Sequence, residues 1–155
     1  MIKNSLVLVQ PNVVDIRKLR KSILYECLPK SFAIYKEDFL EETKHFGLIS
    51  NYKLVSILSL MKKTYEKKRN FKSIQIRGFA TKNGYQKKGY GSYLIQKVIK
   101  EIIKKQQIEI VWCNARKETL DFYVKNSFVR DSNYFYINKI GLHQKLYYDC
   151  RKKIN

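Results

Sequence analysis

The residues Gln86-Lys87-Lys88-Gly89-Tyr90-Gly91 place two glycines directly ahead of a long helical pattern, with Gly84 just upstream. Glycines in that place bring consecutive backbone N–H groups to a helix start, where an anion is favoured. The two lysines add positive charge. A nucleotide-hydrolysing P-loop needs a lysine where Tyr90 stands and a hydroxyl where Gly91 stands, which excludes that chemistry. A dinucleotide fingerprint needs a third glycine where Leu94 stands, which weighs against a nicotinamide or flavin site. The pattern that remains is [Q/R]-x-x-G-x-[G/A]. It suits a pyrophosphate, and it equally describes a glycine turn on a basic surface.

Acid–base chemistry has several candidates. The densest acidic cluster is Glu37, Asp38, Glu41 and Glu42 in the segment EDFLEE. It either attracts a cationic amine or is a solvated turn. His45 titrates near neutrality, as a base must, although a lone histidine before a strand is more often structural. His143 lies on a late strand and reads as packing or a wall of the substrate site. Cys113 sits in an apolar strand with no histidine nearby in sequence, which argues against a cysteine nucleophile. Three scattered cysteines without a C-x-x-C pair, beside two histidines, give no metal-ligand spacing. They fit a reduced, cytoplasmic setting.

These groups need a frame. Leu6–Val9 reads as a strand. Over 13–28, Ile16, Leu19, Ile23 and Cys27 recur at helical spacing, with Asn12 as N-cap and Asp15 in the first turn. Leu28-Pro29 ends that helix. Residues 30–44 form a polar connection. Phe46–Ser50 and Lys53–Leu60 read as strands paired around Asn51-Tyr52, and Ser73–Ala80 alternates as another. The clearest helix runs from Ser92 to Gln106, with Leu94, Ile95, Val98, Ile99, Ile102 and Ile103 in one stripe. A strand at Ile108–Cys113 and a short helix at Glu118–Asn126 follow. Late strands fall at Phe128–Val129, Tyr134–Ile137 and Lys145–Tyr148. Strand, helix and strand in succession imply two parallel neighbours. The expectation is one α/β domain over residues 1–155 with a mixed sheet of roughly six to seven strands.

The 155 residues are 45% hydrophobic and 14% aromatic, which supplies a core and excludes a disordered tail. No apolar run reaches the length of a membrane span, and the N-terminal stretch lacks a signal-peptide cleavage site. The formal net charge is +19, and residues 62–117 alone hold 16 basic against 3 acidic side chains. Such a field draws a polyanion: nucleic acid, a membrane surface or a phosphorylated cofactor. It is also what compositional drift toward lysine on a solvated surface produces.

The glycine segment has companions. IRGFATKNGYQKKGYGSYL resembles the acetyl-CoA-binding segment of the GCN5-related N-acetyltransferases (GNAT), and VWCNARKETLDFYVKNSF resembles the second half of that site. KIGLHQKLYYD is similar to the closing segment of a small bacterial branch, where the pattern is usually I-G-P-H. His45-Phe46-Gly47 and Gln75-Ile76-Arg77-Gly78 also look like that branch. Together these cover most of residues 38–149, in order. Three positions depart from the pattern: Lys87 where glycine is common, Ser127 where the family has G-F, and Leu142 where the proline stands.

The resemblance implies a mostly antiparallel twisted sheet, helices on both faces, and a central parallel pair splayed at the cofactor. It implies acetyl-CoA as co-substrate and no metal. The holding residues would be Gln86, Lys87, Lys88, Gly89, Tyr90, Gly91 and Ser92, the strand edge Phe79, Ala80 and Thr81, and Asn114. Gly78 would ease a bulge in that strand. Tyr123 is implied as the acid that protonates the departing thiolate, since a phenol with an ordinary pKa of ~10 stays protonated. The base is open among Asp38, Glu41, His45 and a water chain. The implied function is direct acetyl transfer to a small-molecule or peptide amine in a ternary complex, with no membrane partner. The alternative is a basic nucleic-acid-binding module on the same scaffold, with catalysis absent or secondary. Oligomeric state and the identity of the amine are not legible.

Overall fold

The computed structural model describes residues 5–152. The chain opens with β1 (Leu6–Val9) and α1 (Val13–Leu24). Asn12 caps α1 by accepting the Asp15 N–H at 2.9 Å, satisfying one of the donors a helix start leaves unpaired. The helix ends at Leu24 rather than at residue 28. Tyr25 leaves the helical conformation to pack with Ala33, Tyr35 and Met61, its hydroxyl 2.7 Å from that of Tyr35. The connection carries two short 3-10 turns, Lys30–Ala33 and Lys36–Phe39. β2 (Lys44–Ser50) and β3 (Lys53–Met61) form a hairpin about Asn51 and Tyr52, whose φ of 48° and 61° are the left-handed pair a two-residue turn requires.

Then come β4 (Ser73–Thr81), α2 (Tyr90–Val98), β5 (Ile110–Arg116), α3 (Leu120–Lys125), β6 (Val129–Arg130), β7 (Phe135–Ile137) and β8 (Gly141–Asp149). α2 runs on as a π turn over Ile99–Ile103, with the Lys104 N–H reaching the Ile99 carbonyl at 3.2 Å. The strand order is β1-β2-β3-β4-β5-β8-β6, with β7 also paired to β8. Among the described residues the sheet has 8 strands, each overlapping a segment read as a strand from the sequence, although the count expected was six to seven. β4–β5 is parallel and the other pairs are antiparallel. Alternation divides the side chains between two faces. Leu58, Leu60, Ile74 and Ile76 meet Leu94, Ile95 and Val98 of α2 on one face. Ile57 and Ala80 meet Ile16, Leu19 and Ile23 of α1 on the other.

Two irregularities open the centre of the sheet. Register between β3 and β4 shifts between Ile57/Ala80 and Ser59/Arg77, so Leu58 alone opposes Gly78 and Phe79. That is a β-bulge. Gly78 has φ 59°, and a Cβ there would lie 2.5 Å from Arg20 Nε and 3.1 Å from Tyr35 Cε2. Only glycine meets both demands. The second irregularity is a parting. β4 and β5 pair only from Ser73/Ile110 to Gln75/Trp112. Beyond that point β4 follows β3 to Thr81 and β5 follows β8 to Arg116. The strands therefore diverge in a V with Gln75 and Trp112 at its vertex.

Under the bulge lies Arg20, fully buried. Its Nη1 donates to the Asp38 carboxylate at 2.8 and 3.0 Å and to the Ala33 carbonyl at 3.2 Å, and its Nη2 to Ser59 Oγ at 2.7 Å. The Tyr35 ring covers the guanidinium at 3.9 Å. Asp38 also accepts from Arg17 Nε and from the Tyr35 N–H. A buried charge is tolerated only when so surrounded.

Candidate active site

The V between β4 and β5 opens into a cleft of about 980 Å³. At one end stands the start of α2. Gly89 caps it with φ 87° and no side-chain capping bond, so the first N–H groups of the helix are unspent. Gly89, Gly91 and Ser92 line the cleft, which places those donors at its wall. A Cβ on Gly91 would sit 3.2 Å from the Phe122 ring and 3.3 Å from Thr81 Oγ1, so a larger residue would push into the cleft wall. Lys87 has φ 57°. The left-handed backbone is why glycine suits this position; lysine keeps the turn at a cost of about 1–2 kcal/mol. The loop is braced from within. Gln86 Nε2 donates to the Thr81 carbonyl at 2.9 Å and to Asn83 Oδ1 at 3.2 Å, and Lys88 Nζ to the Gly84 carbonyl at 2.8 Å.

Phe79, Ala80, Thr81, Gln86, Lys87, Gly89, Gly91, Ser92, Asn114 and Tyr123 all line this one cleft. The side chains of Lys88 and Tyr90 do not. The Lys88 ammonium turns back onto its own loop, and the Tyr90 ring packs edge-on against Tyr85 with centroids 5.5 Å apart. Both still lend backbone to the helix start.

α3 is clamped to α2 by Asn126. Its Nδ2 donates to Ser92 Oγ at 3.0 Å and to the Phe122 carbonyl at 2.8 Å, and its Oδ1 accepts from Gln96 at 3.2 Å. That clamp fixes Tyr123 among Phe79, Phe122 and Phe128, with ring centroids 6.2, 5.2 and 5.4 Å away. Burial, with the Cys113 thiol beside it, pushes the phenol well above its ordinary pKa. Tyr123 is therefore held protonated and neutral. Burial also raises the Cys113 thiol, which removes it as a thiolate nucleophile.

None of Asp38, Glu41 and His45 lines the cleft. Asp38 is locked to Arg20 and Arg17. Burial works to raise its carboxyl pKa, but those guanidiniums and the Tyr35 N–H outweigh it and lower the value. His45 Nδ1 lies 2.7 Å from Ser59 Oγ, with Nε2 3.9 Å from Asp38, and burial followed by Arg20 lowers its pKa. Glu37 is spent on Arg77 at 3.1 Å. The EDFLEE segment is thus a structural clasp for three arginines, Arg17, Arg20 and Arg77, while Glu41 is exposed elsewhere.

The other end of the cleft gathers residues that sequence reasoning did not assign to chemistry: Gln75, Arg77, Arg116, Glu118 and His143, beside Tyr25 and Tyr35. His143 is buried and stacked on Phe135, 6.0 Å between centroids. Its Nδ1 is 2.8 Å from the Gly141 carbonyl, which can only accept, so Nδ1 carries the proton and Nε2 the free lone pair. Burial holds its pKa below that of an ordinary imidazole; Arg116 acts in the same direction, the Gly141 carbonyl and Glu118 against it. Gln75, at the vertex of the V, is buried with its Oε1 unpaired. Register alone brings this group together, as where Arg116 faces His143 across β5–β8.

Several basic side chains of residues 62–117 are used internally. Lys72 Nζ donates to the Gln106 carbonyl at 2.7 Å, Lys97 pairs with Glu101 at 2.8 Å, and Arg77 pairs with Glu37. Among the described residues no cluster of His, Cys, Asp and Glu could hold a metal ion, and no helix is long and apolar enough to cross a membrane.

A parallel pair that parts beside an uncapped helix start, with a neutral phenol in the gap, is the frame of an acyltransferase. The model of the acetyltransferase (GNAT) domain matches residues 15–144, and the chain belongs to that family. A relative from Bacillus subtilis strain 168, the uncharacterized N-acetyltransferase YitI, is 30% identical over 140 residues, covering 90% of this chain and 93% of its own. The fold matches FeeM, an N-acyl amino acid synthase from uncultured soil microbes, with a TM-score of 0.76 at 14% identity over 96% of this chain and 92% of that one. It matches Escherichia coli ElaA with a TM-score of 0.72 at 14% identity over 93% and 98%.

Proposed function

We propose that this protein transfers an acetyl group from acetyl-CoA to an amine by direct attack within a ternary complex. The observation that carries the reading is the meeting in one cleft of the unspent N–H groups of α2, the parted β4–β5 pair and buried Tyr123. The backbone from Gln86 to Ser92 holds the pyrophosphate, with Lys87 beside it. The edge of β4 from Phe79 to Thr81, no longer paired with β5, takes the pantetheine arm, and Asn114 reaches that arm from β5. An N–H near Phe79 or Ala80 stabilises the thioester oxygen as it gains charge. His143 Nε2 removes the proton of the amine, directly or through one water. The amine nitrogen bonds to the acetyl carbon, the C–S bond breaks, and Tyr123 protonates the departing sulfur. The three free thiols fit a reducing, cytoplasmic setting.

Calorimetry of the purified chain with acetyl-CoA is expected to show saturable one-site binding, and its absence would sink the acetyltransferase reading. A neutral imidazole is the active form of the base, so kcat/KM rises with pH through the pKa of His143. Because that pKa lies below the ordinary histidine value, the acidic limb should fall below pH ~6.5. His143→Asn is expected to abolish the limb and lower kcat by about 10²-fold. An unchanged limb in that variant would remove His143 from the role.

A further inference from the structure

On the footing of that acetyltransferase reading, we propose that the acceptor is an amine whose other end carries a carboxylate, and that Arg116 receives the carboxylate. The cleft is lined by five cations, Lys63, Arg77, Lys87, Arg116 and Lys125, against one carboxylate, Glu118. Its histidine is held neutral. A cationic or polycationic amine would enter against that field, whereas a zwitterion presents its negative end to it.

The two arginines differ in what they have left to give. Arg77 is engaged by Glu37 at 3.1 Å and stacks on the Tyr35 ring at 4.2 Å. Arg116 is anchored differently. Its Nη2 donates to the Leu24 carbonyl at the end of α1, 2.6 Å away, and its guanidinium lies 5.5 Å over the Tyr25 ring. Among the described residues no carboxylate forms an ion pair with it. A guanidinium has five donors in a fixed fork, so one bond to a carbonyl fixes its place and leaves a face free for a planar acid. Arg116 is thus held still without being neutralised. That is preorganisation for an anion, and lysine would not supply the fork.

A second, independent group marks where the amine goes. Gln75 is 3% exposed, lines the cleft at the vertex of the V, and its Oε1 has no partner. A buried amide oxygen left bare has lost its water and gained nothing in exchange. An N–H from the bound amine satisfies it. Tyr25, Ile137 and Ile140 on the walls suit an apolar body between the two ends.

The test compares amines that differ only in the carboxylate. Leucine and phenylalanine, with the dipeptide glycyl-leucine, are assayed against isoamylamine and phenethylamine, with spermidine as a polycation. Thiol release is followed with acetyl-CoA, and acetyl-CoA binding is measured separately. The expected result is a kcat/KM at least roughly tenfold higher for a carboxylate-bearing member than for its matched amine, equivalent to about 1.4 kcal/mol. Arg116→Gln should erase that difference through KM. It should leave acetyl-CoA affinity unchanged and lower kcat/KM for the carboxylate-bearing member far more than for its matched amine, which a merely structural Arg116 would not do. Turnover that favours the plain amines or spermidine, or that spares the carboxylate preference in Arg116→Gln, overturns the proposal while leaving the acetyltransferase reading intact. No turnover of any carboxylate-bearing member overturns it likewise. Failure of acetyl-CoA to bind overturns the reading beneath it.

Discussion

Tyr123→Phe is expected to lower kcat by about 10²–10³-fold while acetyl-CoA binds with wild-type affinity. The substitution removes one oxygen and keeps the ring, so the packing against Phe79, Phe122 and Phe128 survives. No proposed contact with the pyrophosphate or the pantetheine arm passes through the phenol. What is lost is the proton that the departing sulfur must receive, and positioned acid–base groups contribute about 10²–10⁴-fold. The sign of the pH dependence follows from burial. Tyr123 acts in its protonated form, and its pKa stands well above the ordinary phenol value, so no alkaline limb arises from it in an accessible range. Steady-state thiol release read beside calorimetry separates the two effects. A variant with the wild-type rate would show that water protonates the sulfur and that Tyr123 is packing alone.

The end of the cleft at the start of α2 was legible because its residues are contiguous. Gln86 to Ser92 form one turn, and the strand before them and the helix after them follow from local alternation and the 3.6-residue stripe. Even Lys87 makes sense in these terms, since a φ of 57° is a property of the turn rather than of its neighbours in space. The other end was not. Gln75, Arg116 and His143 lie on three strands, and only the β4–β5 parting and the β5–β8 register bring them to one place. Charge density along the chain misled for the same reason. EDFLEE looks like a trap for cations, yet its Asp38 and Glu37 are consumed by arginines distant in sequence. The sequence offers His45 as a base and reads His143 as packing or a substrate wall, yet of the two only His143 lines the cleft.

Asp38→Asn is expected to cost about 3 kcal/mol of stability, the low end of the range for breaking a buried ion pair, because asparagine keeps one acceptor. The loss comes from Arg20 rather than from the missing bond. Arg20 and Asp38 have no exposed side-chain surface, and Arg20 Nε is already without a partner, so the variant leaves a guanidinium charge in the interior with its counterion removed. Against a total of about 5–15 kcal/mol the change is large, and for a chain of this size it lowers Tm by roughly 6–12 °C. pH gives an internal control. The folded-state pKa of Asp38 is depressed, so its contribution is present above the unfolded value of ~3.9 and is lost as pH falls through the lower folded value. The stability gap between wild type and variant, read by urea unfolding, should therefore be full at pH 7 and close below pH ~4. Replacing both partners by apolar residues of similar volume should recover much of the loss, since no charge then remains unpaired. A gap that persists unchanged into acid would mean the Asp38 charge is not what neutralises Arg20. If it does close, the Arg20–Asp38 pair that packs under the Gly78 bulge and the Tyr35 ring is also what keeps that wall of the cleft in place.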